Sequence, residues 1–320
     1  MSTTLPRRAA DHDGHRVTVS AEDGVPLAVR VFGADSASAT IVFVHGHCLH
    51  TESWSYLREH LLRRWGDTPR MVFYDHRGHG ESGHGHPSTY TIDQLGHDLD
   101  AILRALTPSG PVILVGHSMG AMVILAYARL HPEAIGSRII GIGLLAGIAT
   151  GLTEVGLARL LNRRAVRSLQ AAVTRAPAVA QASRHLTRRL IQPVVREAVL
   201  GTKKVNSRVA ALAAAMLSET PLLTMSSFLH SLITFDETAT LHRLGTIPAL
   251  VLAGSADIMV PFTHSVVLAS HLAGSELVCL EGAGHSVILE RAEEVALSIA
   301  ELVERACIAV RVPVEDATVC

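Results

Sequence analysis

Short apolar runs alternate along the chain with stretches whose apolar residues recur at helical spacing. The runs that predict strands are residues 27–32, 40–44, 71–74, 111–115, 139–145, 249–253 and 277–280. The stretches that predict helices are residues 54–65, 92–106, 119–130, 263–272 and 286–305. Buried strands separated by helices are typical of a mostly parallel sheet with helices on both faces. In such a sheet the functional residues lie in the loops that follow the strands.

The pattern changes between residues 148 and 235, where strand signals vanish and Ala, Leu, Val and Arg dominate. One predicted helical face is apolar and consists of Leu157, Leu161, Ala165, Leu169 and Ala172. The opposite side carries a stripe of Arg159, Arg163 and Arg167. We therefore predict a helical cap inserted between two parts of one core, which divides the chain into residues 1–147, 148–240 and 241–320.

The segment Gly116-His117-Ser118-Met119-Gly120 follows a predicted strand and precedes an Ala-rich helix. This context makes a G-x-S-x-G motif a candidate for a sharp turn that presents a nucleophilic serine. The glycines let the strand and the helix approach each other closely. The backbone N–H of Met119 would then stabilise negative charge on a carbonyl oxygen beside Ser118. The alternative is a chance Gly-Ser-Gly turn.

A serine nucleophile needs a base, and the base needs an orienting carboxylate. His285 follows the last predicted strand, and Asp257 follows the strand before it. Both loops therefore reach the sheet edge where Ser118 lies, and the order Ser, Asp, His suits this architecture. The chain contains 19 histidines, so the presence of a histidine is weak evidence by itself. His285 is the candidate base because of its position after the last predicted strand. The pair at residues 236–237 is an alternative source of the acid, but no strand precedes it.

The loop that follows the strand at residues 40–44 reads His45-Gly46-His47-Cys48. Gly46 lets this loop pass close to the serine turn, so we expect the backbone N–H of His47 to act with that of Met119 as an oxyanion hole. The alternative is a tight structural turn. Cys48 is either a reactive thiol near the site or a small buried side chain.

Composition narrows the class of protein. Of the 320 residues 48% are hydrophobic and 18% charged, which excludes a globally disordered chain. The four cysteines form no CxxC pair, so we expect no zinc site, and we expect no other metal and no cofactor. The chain start lacks an apolar signal sequence, and the longest apolar stretch is shorter than the ~18 residues of a bilayer span. We therefore expect a cytoplasmic protein, soluble or attached to a membrane surface.

The net charge of -1 hides an uneven distribution. Residues 151–235 contain twelve basic and three acidic residues, a net charge of +9, whereas the rest of the chain has 16 basic and 26 acidic residues, a net charge of -10. A basic cap would suit an anionic membrane surface or an acidic acyl-carrier protein. The alternative is a set of solvated helix faces on an acidic core. Nucleic acid is not expected, because no base-stacking aromatic residues accompany the charge.

Five motifs together resemble those of the α/β-hydrolase superfamily. They are VHGHC at residues 44–48, YDHRGHGES at 74–82, GHSMG at 116–120, GSADIMVP at 254–261 and GAGH at 282–285. The chain is most similar to capped members related to monoacylglycerol lipases, lysophospholipases and small esterases. The resemblance implies the α/β-hydrolase fold, with a mostly parallel central sheet, helices on both faces and a helical cap. It also implies a catalytic triad of Ser118, Asp257 and His285, oxyanion donors at His47 and Met119, and a structural role for Asp75.

This resemblance implies a carboxylic ester hydrolase that works through an acyl-enzyme. The serine excludes relatives with an aspartate nucleophile, namely epoxide hydrolases and haloalkane dehalogenases. The predicted cap holds almost no aromatic residues, which favours aliphatic or lipid-like esters. The alternatives are a thioesterase acting on acyl-CoA or carrier-protein thioesters, a lyase or cyclase, and a ligand-binding protein on the same fold.

Overall fold

The computed structural model describes residues 14–34, 37–66, 69–154, 163–175 and 206–311, and contains an eight-stranded sheet. The strands are β1 (His15–Ser20), β2 (Pro26–Phe32), β3 (Thr40–Val44), β4 (Arg70–Tyr74), β5 (Val112–His117), β6 (Ile139–Leu145), β7 (Ala249–Gly254) and β8 (Glu276–Leu280). Their order is β1-β2-β4-β3-β5-β6-β7-β8. β2 pairs antiparallel with β1 and β4, and the strands from β4 to β8 pair in parallel. The predicted mostly parallel sheet is confirmed.

Helices cover both faces of this sheet, and further helices lie in the segment between β6 and β7. They are α1 (Ser55–Trp65), α2 (Ile92–Leu106), α3 (Met119–Leu130), α4 (Arg163–Arg175), α5 (Ser207–Glu219), α6 (Leu222–Ile233), α7 (Leu241–Leu244), α8 (Thr263–His271), α9 (Val287–Glu290) and α10 (Ala292–Arg311). Alternate residues of a strand point to opposite faces. Val42 of β3 therefore packs in one apolar core with α2 and α3, and Phe43 packs in the other with α1 and α10. This two-sided burial explains why the central strands are continuously apolar.

Two elements differ from the sequence prediction. β1 is a separate strand paired with β2, although most of its side chains are exposed or only partly buried, so its sequence gives a weak strand signal. The last predicted helix is divided at Arg291 into α9 and α10. Residues on both sides of the break, including Leu289 and Val295, are buried, so the apolar pattern continues through it.

The segment between β6 and β7 holds α4, α5, α6 and α7 among its described residues. The predicted apolar face of α4 is wrong at the position that can be examined, because Ala172 is exposed whereas Val166 and Val173 are buried. The rest of that face and the arginine stripe lie outside the described residues or the described side chains. The predicted domain boundaries and the docking role of the basic cap stay predictions.

Among the described residues, one helix pair has the length and composition of a possible membrane span. Within the described ranges, no single helix is both long and apolar enough to cross a bilayer. The pair α5 and α6 reaches that length and composition only together, and the two helices meet at an angle of 93°.

Candidate active site

Ser118 lies at the turn between β5 and α3 in a conformation that L-residues rarely adopt. Its φ is 53° and its ψ is -116°, a strain that persists only where the surroundings enforce it. The neighbouring chain enforces it here, since a Cβ on Gly120 would lie 2.0 Å from the Val44 carbonyl oxygen and a Cβ on Gly116 2.4 Å from that of Gly120. Strand, turn and helix are therefore packed so closely that these two positions require glycine.

The structure brings the three side chains singled out in the sequence into one hydrogen-bonded chain. His285 Nε2 lies 2.9 Å from Ser118 Oγ, and His285 Nδ1 lies 2.8 Å from Asp257 Oδ2. Because the carboxylate only accepts, Nδ1 carries the hydrogen in this pair. Nε2 is then free to accept the Ser118 hydroxyl hydrogen, which is the arrangement that a general base requires.

The Asp257 carboxylate is held by backbone donors as well as by His285. Its Oδ1 accepts hydrogen bonds from the N–H groups of Met259 and Val260, both at 2.8 Å. The side chain is fully shielded from solvent, so its orientation is fixed. The alternative acids have other partners, since Asp236 accepts from the Thr238 N–H and Glu237 forms an ion pair with Arg129 of α3.

The electrostatics of His285 favour its protonated form. Burial lowers the pKa of His285, but the charge of Asp257, its hydrogen bond and the more distant charge of Glu290 outweigh burial, so the pKa lies above its ordinary value. The imidazolium form of His285 is therefore stabilised by the Asp257 carboxylate.

The two predicted oxyanion donors lie on either side of Ser118. Gly46 passes so close that a Cβ there would lie 3.2 Å from the Ser118 Cβ, which places the loop of His47 against the serine turn. Met119 is the first residue of α3, where backbone N–H groups have no partner within the helix. Among the described residues, the N–H groups of His47 and Met119 have no protein acceptor.

Cys48 and Asp75 have structural contacts. Cys48 is buried, and burial raises the pKa of its thiol, which suits the small buried side chain rather than the reactive thiol. Asp75 Oδ1 accepts from the Thr51 N–H at 2.7 Å and Oδ2 from the Glu81 N–H at 2.8 Å. Asp75 therefore closes two turns beside the site.

A group of buried histidines behind the site was not identified from the sequence. Its members are His45, His76, His79 and His117, which we call the buried histidine group. His117 Nε2 donates to the His285 carbonyl oxygen at 2.9 Å and so ties the backbone of the base to β5. Burial lowers the pKa of His45 and His117 to about 3. The sequence contains one hint of this group, because several of its members stand next to a glycine in the motifs at residues 44–48, 74–82 and 116–120.

Comparisons with known proteins agree with this architecture. Residues 39–292 match the family described as alpha/beta hydrolase fold. The chain is 25% identical over 287 residues to the proline iminopeptidase PfmaB of Pestalotiopsis fici, covering 88% of this chain and 98% of that protein. It is 30% identical over 111 residues to the sn-1-specific diacylglycerol lipase ABHD11 of Mus musculus, covering 35% of this chain and 34% of the lipase.

Among solved structures, the fold is similar to that of a thermophilic esterase from Thermogutta terrifontis. The TM-score is 0.73 at 22% sequence identity, and the match covers 92% of this chain and 99% of the esterase. At this identity the likeness shows a shared fold.

Proposed function

The chain belongs to the alpha/beta hydrolase fold family, and within that family we propose that it is a serine hydrolase that cleaves carboxylic esters. The observation that carries the proposal is the hydrogen-bonded chain from Ser118 Oγ through His285 to Asp257, with distances of 2.9 and 2.8 Å. A nucleophile, a base and an orienting acid joined in this order are the components of acyl transfer.

In the first half of the reaction, His285 Nε2 takes the hydroxyl proton as Ser118 Oγ attacks the ester carbonyl carbon. The carbonyl oxygen gains a negative charge, and the N–H groups of His47 and Met119 donate to it. Asp257 stabilises the imidazolium through Nδ1. When the bond to the alkoxy oxygen breaks, Nε2 gives its proton to that oxygen, and the alcohol leaves an acyl group on Ser118.

In the second half, His285 Nε2 takes a proton from water, and the water oxygen attacks the acyl carbon. The same two N–H groups stabilise the second tetrahedral intermediate. The bond to Ser118 Oγ then breaks, and Oγ recovers its proton from Nε2. The products are a carboxylic acid and the free enzyme.

We propose aliphatic or lipid-like acyl esters as substrates. The support is the composition of the segment between β6 and β7, where Phe228 and Phe235 are the only aromatic residues, and the partial similarity to a diacylglycerol lipase. The iminopeptidase that matches most of the chain favours a second candidate, amide hydrolysis by the same triad. Thioester hydrolysis remains the third, since it uses the same steps.

Labelling with a fluorophosphonate probe tests the nucleophile. We expect the wild type and Ser270→Ala to be labelled and Ser118→Ala not to be labelled, because Ser270 is an exposed serine on α8 away from the triad contacts. Initial rates on p-nitrophenyl esters of graded length, prolyl p-nitroanilide and acyl-CoA then separate the three substrate classes. An unlabelled wild type would contradict the proposed serine nucleophile. Faster turnover of the anilide than of the esters would identify amides, rather than esters, as the substrate class.

A further inference from the structure

The His47 side chain joins the oxyanion loop to helix α6. Its Nε2 lies 3.1 Å from the carbonyl oxygen of Met225 on that helix. A carbonyl oxygen only accepts, so Nε2 donates the hydrogen. The other nitrogen, Nδ1, is buried and has no hydrogen-bond partner among the described residues. The ring also packs edge-on against Phe228 of α6, with ring centroids 5.8 Å apart.

The loop that contains His47 is strained and held from several sides. Cys48 has a φ of 60°, a left-handed conformation that is unfavourable for a residue with a Cβ. Its N–H donates to His79 Nε2 at 3.2 Å, and the N–H of Leu49 donates to the Gly46 carbonyl oxygen at 3.2 Å. Such a conformation persists only while its contacts hold it, and the bond from His47 to α6 is one of them.

Helix α6 is a firm support for this bond because it has its own contacts with the core. Thr224 packs so closely over Gly78 that a Cβ on Gly78 would lie 2.8 Å from its methyl carbon. Near the other end of the helix, Ser231 Oγ accepts from the Ile92 N–H at 2.9 Å and caps the start of α2. The Phe228 ring lies between these two contacts and touches the Tyr90 and His79 rings.

We propose that the His47 side chain is a positioning residue that holds the oxyanion loop to α6 and thereby aims the His47 backbone N–H at the developing oxyanion. The proposal rests on the proposed hydrolase function. The helix thereby contributes to transition-state stabilisation through the His47 backbone. Loss of the side-chain hydrogen bond should therefore lower kcat and leave substrate binding nearly unchanged.

The experiment compares His47→Leu, which removes the donor, with His47→Gln, whose amide nitrogen lies three bonds beyond Cβ as Nε2 does. Ser231→Ala is the matched control, since it removes another hydrogen bond between α6 and the core but lies away from the oxyanion loop. Each variant is assayed for kcat and KM on a p-nitrophenyl ester. Inhibition by a trifluoromethyl ketone, which forms an oxyanion on the serine, is measured in parallel, together with the melting temperature.

Removing an oxyanion donor outright lowers kcat about 100- to 1,000-fold, so a misaimed donor should cost at least about tenfold. We expect this loss in His47→Leu with KM changed less than about twofold, a matching rise in the ketone inhibition constant, and substantial recovery in His47→Gln. Ser231→Ala should lower the melting temperature and keep the wild-type kcat. Wild-type kcat in His47→Leu, an equal loss in Ser231→Ala, or an unchanged ketone constant would each overturn the proposal.

Two further outcomes are decisive. If His47→Leu does not fold, His47→Gln is compared with His47→Asn, whose amide is too short to reach Met225. The proposal requires the glutamine variant to be more active, and equal activity would overturn it. A wild type that neither hydrolyses esters nor labels would overturn the proposed function and this proposal together, whereas an active wild type with an unaffected His47→Leu overturns this proposal alone.

Discussion

His285 and the buried histidine group lie in neighbouring buried positions, yet their pKa values shift in opposite directions. The pKa of His285 is raised above its ordinary value. Burial lowers the pKa of His45 and His117 to about 3, and brings the pKa of His76 and His79 well below the ordinary value. Burial acts on all five rings, so it does not account for the difference.

The difference comes from the partner of each ring. His285 faces a carboxylate, and its second nitrogen faces a hydroxyl. The other rings make their hydrogen bonds to backbone groups: His45 Nε2 accepts from the His76 N–H, and His79 Nδ1 donates to the Arg77 carbonyl oxygen. A neutral imidazole satisfies such contacts, whereas a cation in the same place would lack a counter-charge. The carboxylate therefore favours a proton on His285, while the other rings stay neutral and hold the turns.

Removing the carboxylate should have the largest effect. Asp257→Asn leaves the shape of the site nearly intact but places an amide opposite Nδ1, which can hold His285 in the tautomer with hydrogen on Nε2. We expect kcat to fall about 10⁴-fold, as this change does in other triads. The measurement is the hydrolysis rate of a p-nitrophenyl ester. Asp236→Asn is the control, because the Asp236 carboxylate accepts from Thr238 and is not part of the hydrogen-bonded chain of Ser118, His285 and Asp257. An Asp257→Asn enzyme within tenfold of the wild type would mean that the carboxylate does not orient the base.

The buried histidine group predicts a loss of stability in mild acid. Unfolded histidines take up protons near their ordinary pKa, but these folded ones do not until a lower pH, so the unfolded chain binds more protons below about pH 6.5. The free energy of unfolding should therefore fall as the pH drops from about 6.5 toward 4. Each group can contribute up to about 1.4 kcal/mol per pH unit. Urea unfolding monitored by circular dichroism at stepped pH measures the slope.

A variant pair shows whether the slope belongs to these rings. His76→Gln can retain the hydrogen bond to the His45 carbonyl oxygen and should flatten the slope, because one buried titrating ring is gone. His84→Gln replaces an exposed histidine and should reproduce the wild-type slope. A free energy of unfolding that stays constant between pH 7 and 5 would contradict the assignment of neutral buried rings.

The smallest expected effect concerns Glu290. Its charge contributes to raising the pKa of His285, while its carboxylate accepts the Gly284 N–H at 3.1 Å. Glu290→Gln retains an acceptor oxygen and removes the charge, so the pKa of His285 should fall and the acid limb of kcat/KM should move to lower pH. Glu294→Gln, which changes an acid paired with Arg291, is the control. A shift of the limb to higher pH would show that Glu290 does not act through its charge.

The sequence predicted the positions of most strands and helices because buried parallel strands and amphipathic helices have distinct periodicities. It did not predict the break at Arg291, since the apolar pattern runs through it. It also placed the buried face of α4 one residue away from Val166 and Val173. Ala and Val stand side by side at residues 165–166 and again at 172–173, so two neighbouring apolar stripes were possible. The packing in the folded chain buries the stripe of the valines.

The sequence by itself determined which residues could form the site. Ser118 stands between two glycines in a strand-turn-helix context, and Asp257 and His285 follow strands whose carboxyl ends meet at one edge. The turn at Ser118 is a local sequence pattern, and the meeting of the strand ends follows from the topology of a parallel sheet. Both can be inferred from the order of residues in the chain. The tertiary structure alone decided what each side chain faces. His285 faces a carboxylate and a hydroxyl, whereas His117 faces a backbone carbonyl oxygen. These partners lie within about 3 Å of the ring nitrogens, and residues distant in the sequence supply them.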